Sequence, residues 1–159
     1  MEYALYKGQL YPMYIDYLDY NQKEKIYLYS WIHKPGLQAV NDDGETIYKR
    51  EVSEDDLDFA YRVKHLVDYK GQTFEILSDI GKRLLGPGKI YLYTENREDA
   101  DKYGFEPYDN LSFKKPITIW EVDRITEIKI PILRFKDMAP TKTIIEKHQI
   151  IDYINNLVE

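Results

Sequence analysis

Along several short stretches the chain alternates apolar and polar residues at every second position, which is the period of a half-buried strand. Lys25-Ile26-Tyr27-Leu28-Tyr29-Ser30 and Lys89-Ile90-Tyr91-Leu92-Tyr93-Thr94 show it most clearly: Ile and Leu share one face, tyrosine rings the other. Ile117-Thr118-Ile119-Trp120-Glu121-Val122 alternates in the same way, and a further strand is expected over 125–133, ending near Pro131. Asn41-Asp42-Asp43-Gly44 separates two strand-like runs; an Asp-Gly pair there predicts a tight hairpin, because both central turn residues must accept positive φ. Gly8 and Gly71 each precede a strand-like run and mark turns.

Helical signals are few. Asn96 is placed to cap a short helix over Arg97–Tyr103, with Glu98 and Asp99 in its first turn and Gly104 beyond its end. Ser53 can cap a turn over 54–60, with strand the competing reading from Phe59 onward. Near the C-terminus, Thr143-Ile144-Ile145-Glu146 behind Pro140 reads as a capping box. Ile150, Ile151, Ile154, Leu157 and Val158 then recur at helical spacing. An amphipathic helix is expected over 141–158, docked on the β units because alone it would be marginal.

The strands belong to an internal duplication. Tyr6-Lys7-Gly8-Gln9 recurs as Tyr69-Lys70-Gly71-Gln72, and Tyr11, Met13 and Asp16 stay in step with Phe74, Ile76 and Asp79. The Lys-Ile-Tyr-Leu-Tyr string follows in both copies, one residue later in the second. Small gaps then align Gly36-Leu37 with Gly104-Phe105, Tyr48-Lys49 with Phe113-Lys114, Val52-Ser53 with Ile117-Thr118, and Leu57-Asp58 with Val122-Asp123. The expected organisation is a first β repeat over 1–66, a second over 67–134 and the C-terminal helix. The fold class is mainly β (α+β), each repeat a small antiparallel barrel or strongly bent sheet.

Composition narrows the function. The 159 residues include no cysteine, sixteen tyrosines, 22 Lys+Arg and 28 Asp+Glu, for a net charge of -6. Without cysteine there is neither disulfide nor thiolate chemistry. No apolar run approaches the roughly 18 residues of a membrane span, and the first residues lack the basic segment of a cleaved signal. A cytoplasmic setting is expected, with no membrane partner. Lys82-Arg83 and Lys114-Lys115 are too small a basic surface to hold nucleic acid against that charge.

Catalytic motifs do not stand out. Gly81-Lys82-Arg83-Leu84-Leu85-Gly86-Pro87-Gly88-Lys89 resembles a phosphate loop, but Lys89 is followed by a strand rather than by Ser/Thr opening a helix. The first copy has Asn21-Gln22-Lys23-Glu24 at that place, so a basic turn accounts better for it. His33, His65 and His148 are scattered, without a metal-ligand pattern, and a surface or helix-face position is expected for them. No nucleophile elbow surrounds a serine. Neither a cofactor nor a metal is expected, and a small hydrolase with a site between the repeats is the weakest alternative.

Acidic residues run together in two places. Glu51, Glu54, Asp55, Asp56 and Asp58 form one group, with Asp42, Asp43 and Glu45 just upstream; Glu95, Glu98, Asp99 and Asp101 form another in the second copy. They read either as a solvated face with helix-capping acids, or as a negative surface steering a basic protein partner. Tyr48, Tyr61, Tyr103 and Tyr108 lie beside them and could supply rigid contacts, or could pack within the sheet. Grooves lined by Tyr27, Tyr29, Tyr91 and Tyr93 would instead suit a peptide-binding adaptor.

The repeated Tyr-Lys-Gly-Gln string followed by the Lys-Ile-Tyr-Leu-Tyr strand resembles tandem SH3-like small barrels over roughly 1–134. The small, acidic, cysteine-free and tyrosine-rich chain as a whole resembles the immunity proteins of bacterial polymorphic toxin systems. That resemblance implies a non-enzymatic inhibitor that binds a cognate toxin, often a basic nuclease; it transfers no individual site residue.

Overall fold

The computed structural model describes residues 1–17 and 24–159; Asn21, Gln22 and Lys23 of the first copy's turn lie outside the described residues. The protein is mainly β and antiparallel, with two α-helices among the described residues, one of them C-terminal. The chain divides into two compact units, one of 1–63, 129–141 and 158–159, the other of 64–128 and 142–157. No helix among the described residues is long and apolar enough to cross a membrane.

In unit 1, β1 (Glu2–Tyr6), β2 (Gln9–Asp16), β3 (Lys25–Ser30), β4 (Gln38–Asp42) and β5 (Glu45–Val52) pair in the order β4-β5-β3-β2-β1, and β1 then meets the start of β6 (Phe59–Tyr69). The alternation seen in the sequence decides the faces: Ile26, Leu28 and Ser30 of β3 are buried, Tyr27 and Tyr29 half-exposed. Leu28 is fully buried in a core with Ala4, Met13, Leu57 and Ala60, which Ile132, Leu133 and Phe135 help to cover. Unit 1 therefore needs the later segment around Phe135 to cover its own interior.

In unit 2 the rest of β6 pairs with β7 (Gln72–Ile76), then β8 (Ile90–Thr94), β10 (Phe113–Ile117) and β9 (Glu106–Pro107). Leu92, Val67, Val122, Ile125 and Ile154 are fully buried there. Helix α1 (Arg97–Tyr103) is capped as its sequence predicts: the Asn96 side chain accepts from the Asp99 amide, and Gly104 ends the helix in the left-handed region.

Both units contain the same local device. Lys7 and Gly8 between β1 and β2, and Lys70 and Gly71 between β6 and β7, all have positive φ, the mirror-image turn that suits a twisted hairpin. Ser53 opens a 3-10 turn over Glu54–Asp56 and Thr118 opens one over Ile119–Glu121. The aspartate that follows each turn closes on the hairpin: Asp58 Oδ2 accepts from the Gly8 amide at 3.2 Å, Asp123 Oδ2 from the Lys70 amide at 3.0 Å.

Two expectations are corrected. Residues 117–122 are not one strand: β10 stops at Ile117, because Glu121 accepts from the Thr118 amide at 2.7 Å and a capping box overrides the alternation. The stretch expected to open the tail helix is a strand, β12 (Thr141–Glu146), beside β11 (Arg124–Pro131). Its β-branched Thr141, Thr143, Ile144 and Ile145 favour pleated backbone. The capping box comes three residues later, where the Gln149 side chain accepts from the Glu146 amide at 3.0 Å. Helix α2 (Ile150–Asn155) is short and buries Ile150 and Ile154.

Candidate functional site

The outward face of unit 1 is where concavity and aromatic rings meet. Because Leu28 and Ser30 point inward, Tyr29 points outward, and Trp31 continues that alternation one step past the strand. The Ile32 amide donates to the buried Ser30 hydroxyl at 3.2 Å, which fixes the chain as it leaves β3. Tyr14 on β2 stacks on Tyr27 with ring centroids 5.2 Å apart and leans on Tyr29 at 5.9 Å. These rings face the β4–β5 hairpin, whose Val40 and Ile47 pair across the strands. Tyr14, Tyr29, Trp31, Val40 and Ile47, with Asp42 and Lys49, line a cleft of about 330 Å³.

The polar ends of the cleft differ in sign. Lys49 Nζ donates to the Tyr14 hydroxyl at 3.4 Å and lies 5.0 Å above the Tyr27 ring, so that cation is held against aromatic faces. At the hairpin tip Asp42 is exposed beside Asp43 and Glu45. Asp43 and Gly44 carry the positive φ the Asp-Gly signal predicts, and the Asn41 side chain accepts from the Gly44 amide at 3.0 Å. Trp31 is 51% exposed, a large apolar ring left facing water. The cleft is thus apolar along its length, with one charge of each sign in its lining.

The acids singled out from the sequence have mixed roles. In unit 1, Glu51 on β5 lies 3.9 Å from Lys25. Glu54 is half-buried and Asp55 exposed on the 3-10 turn, whereas Asp56 accepts from the Ser53 amide at 3.4 Å and Asp58 is tied to Gly8. Tyr48 is half-buried and meets His33 edge-on at 5.4 Å. Tyr61 is 7% exposed, stacked on Tyr3 at 5.7 Å, so its ring belongs to the interior and is no contact surface. In unit 2, Glu98 and Asp101 are exposed, Asp99 accepts from the Gln72 side chain, and Tyr103 packs against Phe74 at 5.3 Å. Tyr108 is half-exposed beneath Lys114, whose Nζ is 5.2 Å from the ring centroid.

His65 corrects the expectation of a surface histidine. It is 6% exposed in unit 2, with Nε2 2.7 Å from the Tyr153 hydroxyl, which donates to Glu127 Oε2 at 2.6 Å. Since that hydroxyl gives its proton to the carboxylate, His65 Nε2 donates to Tyr153, and the three join β6, α2 and β11. Burial lowers the His65 pKa from 6.5 to about 4, against the opposing pull of the Glu127 and Asp79 carboxylates. His33 and His148 are exposed. No cluster of three or more His, Asp and Glu side chains among the described residues is arranged to hold a metal ion.

The sequence reading missed Trp31, Tyr14, Val40 and Ile47. A signal was present in the differences between copies: Tyr27-Leu28-Tyr29-Ser30-Trp31 corresponds to Tyr91-Leu92-Tyr93-Thr94-Glu95, and Tyr14 to Leu77. The outward aromatic row is extended in one copy alone.

Residues 2–133 match the model of a family described as "Uncharacterised conserved protein UCP033725". No curated protein and no solved structure matches the chain.

Proposed function

We propose that this chain, which belongs to the uncharacterised conserved family that matches it over residues 2–133, is a non-enzymatic protein-binding module. It consists, in this reading, of two SH3-like units, and takes a segment of a partner protein into the aromatic cleft of unit 1. The observation that carries the proposal is the cleft itself: Tyr14, Tyr29 and Trp31 on the strands and their continuation, set opposite Val40 and Ile47. Rigid aromatic rings give contact area at low entropy cost, which is why they dominate binding hot spots.

The test is a selection of random 12-residue peptides on phage against the full chain, followed by titration of the recovered peptides. Trp31→Ala is expected to weaken them about tenfold or more with the melting temperature unchanged, since the ring is exposed. Affinity indifferent to Trp31→Ala removes the cleft from the function.

A second reading is favoured by Glu54 and Asp55, which carry no ion pair with a described residue. In it the partner is a basic toxin domain that the acidic face draws in, and the protein acts as its inhibitor. The two readings differ in whether the cleft or the acidic turn dominates capture.

A further inference from the structure

Strand β4 is the terminal strand of unit 1: among the described residues it pairs with β5 alone. Its five residues, Gln38-Ala39-Val40-Asn41-Asp42, include no proline and no lysine, and four are exposed. Sheet edges are ordinarily blunted by shortness, proline or positive charge, because their free amides and carbonyls recruit other strands. Unit 2 shows that treatment at the corresponding place. There β9 is only two residues, Glu106–Pro107, with the proline removing one of its donors. The correspondence is local and direct: each short strand follows a glycine at positive φ, Gly36 or Gly104, and each pairs with the strand carrying the matched lysine, Lys49 or Lys114.

The open edge and the cleft share residues. Val40 and Asp42 belong to β4 and also line the cleft. A strand laid beside β4 would therefore project alternate side chains towards the outward face that bears Trp31 and Tyr29, while its backbone pairs with β4. We infer that the partner is bound by strand addition at the β4 edge, as an extended segment with alternating apolar residues and a Lys or Arg opposite Asp42, Asp43 and Glu45. The charge argument selects that occupant. The three carboxylates at the hairpin tip make no ion pair with a described residue, so a cation placed there meets unopposed negative charge. An acidic segment, or the tip of a second copy of this chain, would be repelled there.

This inference rests on the cleft reading and goes beyond it in specifying how the segment is held. Peptides recovered by the phage selection are resynthesised with a single N-methyl group at each backbone nitrogen in turn. Strand addition predicts a period of two: methylation weakens binding about tenfold at alternate positions and is silent between them. It also predicts that basic residues recur at one end of the recovered sequences, and that the amides of β4 exchange more slowly with peptide bound. Of Ala39→Pro and Val40→Pro, the variant whose lost amide points away from β5 keeps the melting temperature and loses binding.

The outcomes separate the two ideas. If Trp31→Ala abolishes binding but N-methylation shows no alternation, strand addition is overturned and the cleft reading stands. If neither matters, both fail. Recovery of acidic peptides, recovery of no peptide, or a dimer in sedimentation that dissociates in that same fold-neutral proline variant, overturns the stated occupant.

Discussion

His65 shows what one buried side chain can do to the pH dependence of the whole fold. An exposed histidine titrates near 6.5, and this one titrates at about 4 because burial penalises its charged form. Between those values the unfolded chain takes up a proton that the folded chain refuses. Stability therefore falls as the pH drops from about 6.5 towards 4, by up to roughly 1.4 kcal/mol per pH unit. Urea melts of the native protein and of His65→Gln are expected to diverge over that window, with the variant showing the shallower loss. Identical pH profiles would show that His65 is not held neutral. Nothing around His65 in the sequence signals this, since Tyr153 and Glu127 reach it only through the packing of β6, α2 and β11.

At the scale of elements, each unit closes its Tyr-Lys-Gly-Gln hairpin with a distant aspartate. Asp58 was legible as an acid but not as a cap, and its bond to the Gly8 amide gives it a part in the framework of the hairpin. Asp58→Ala and Asp123→Ala are each expected to cost about 1 kcal/mol in urea melts, because the turn amide loses a charged acceptor but stays within reach of water. Asp55→Ala, with no such bond, serves as the control and is expected to leave stability within about 0.5 kcal/mol. An equal loss in all three would mean that the aspartates act through general charge. The edges behave as elements too: β4 and β9 occupy matched positions, yet one is open and one is shortened around Pro107.

For the whole molecule the relevant quantity is charge. A net charge of -6 on 159 residues creates a field that accelerates encounter with a basic partner and is weakened by salt. Glu54→Lys combined with Asp55→Lys changes the exposed turn without touching the Asp56 or Asp58 bonds. With a recovered basic peptide as probe, the pair is expected to lower the association rate several-fold at low ionic strength, leave dissociation nearly unchanged, and lose its effect in 0.5 M salt. A change confined to the dissociation rate would mean that Glu54 and Asp55 contact the ligand directly.

Sequence alone determined the features that are written in a few adjacent residues. The Asp43-Gly44 and Lys-Gly turns, the Asn96-to-Gly104 helix and the inward Ile and Leu of β3 and β8 follow from φ preferences, local hydrogen bonds and a period of two. Where two local codes competed, as at Thr118 and at residues 141–146, periodicity alone could not say which would hold. Tertiary structure decided that Tyr61 turns inward while Trp31 stays in water, that Asp58 caps a hairpin, and that Tyr14, Trp31 and Val40 share one cleft. Those outcomes depend on which strands lie side by side, and strand order is set by the burial of side chains far apart in the chain.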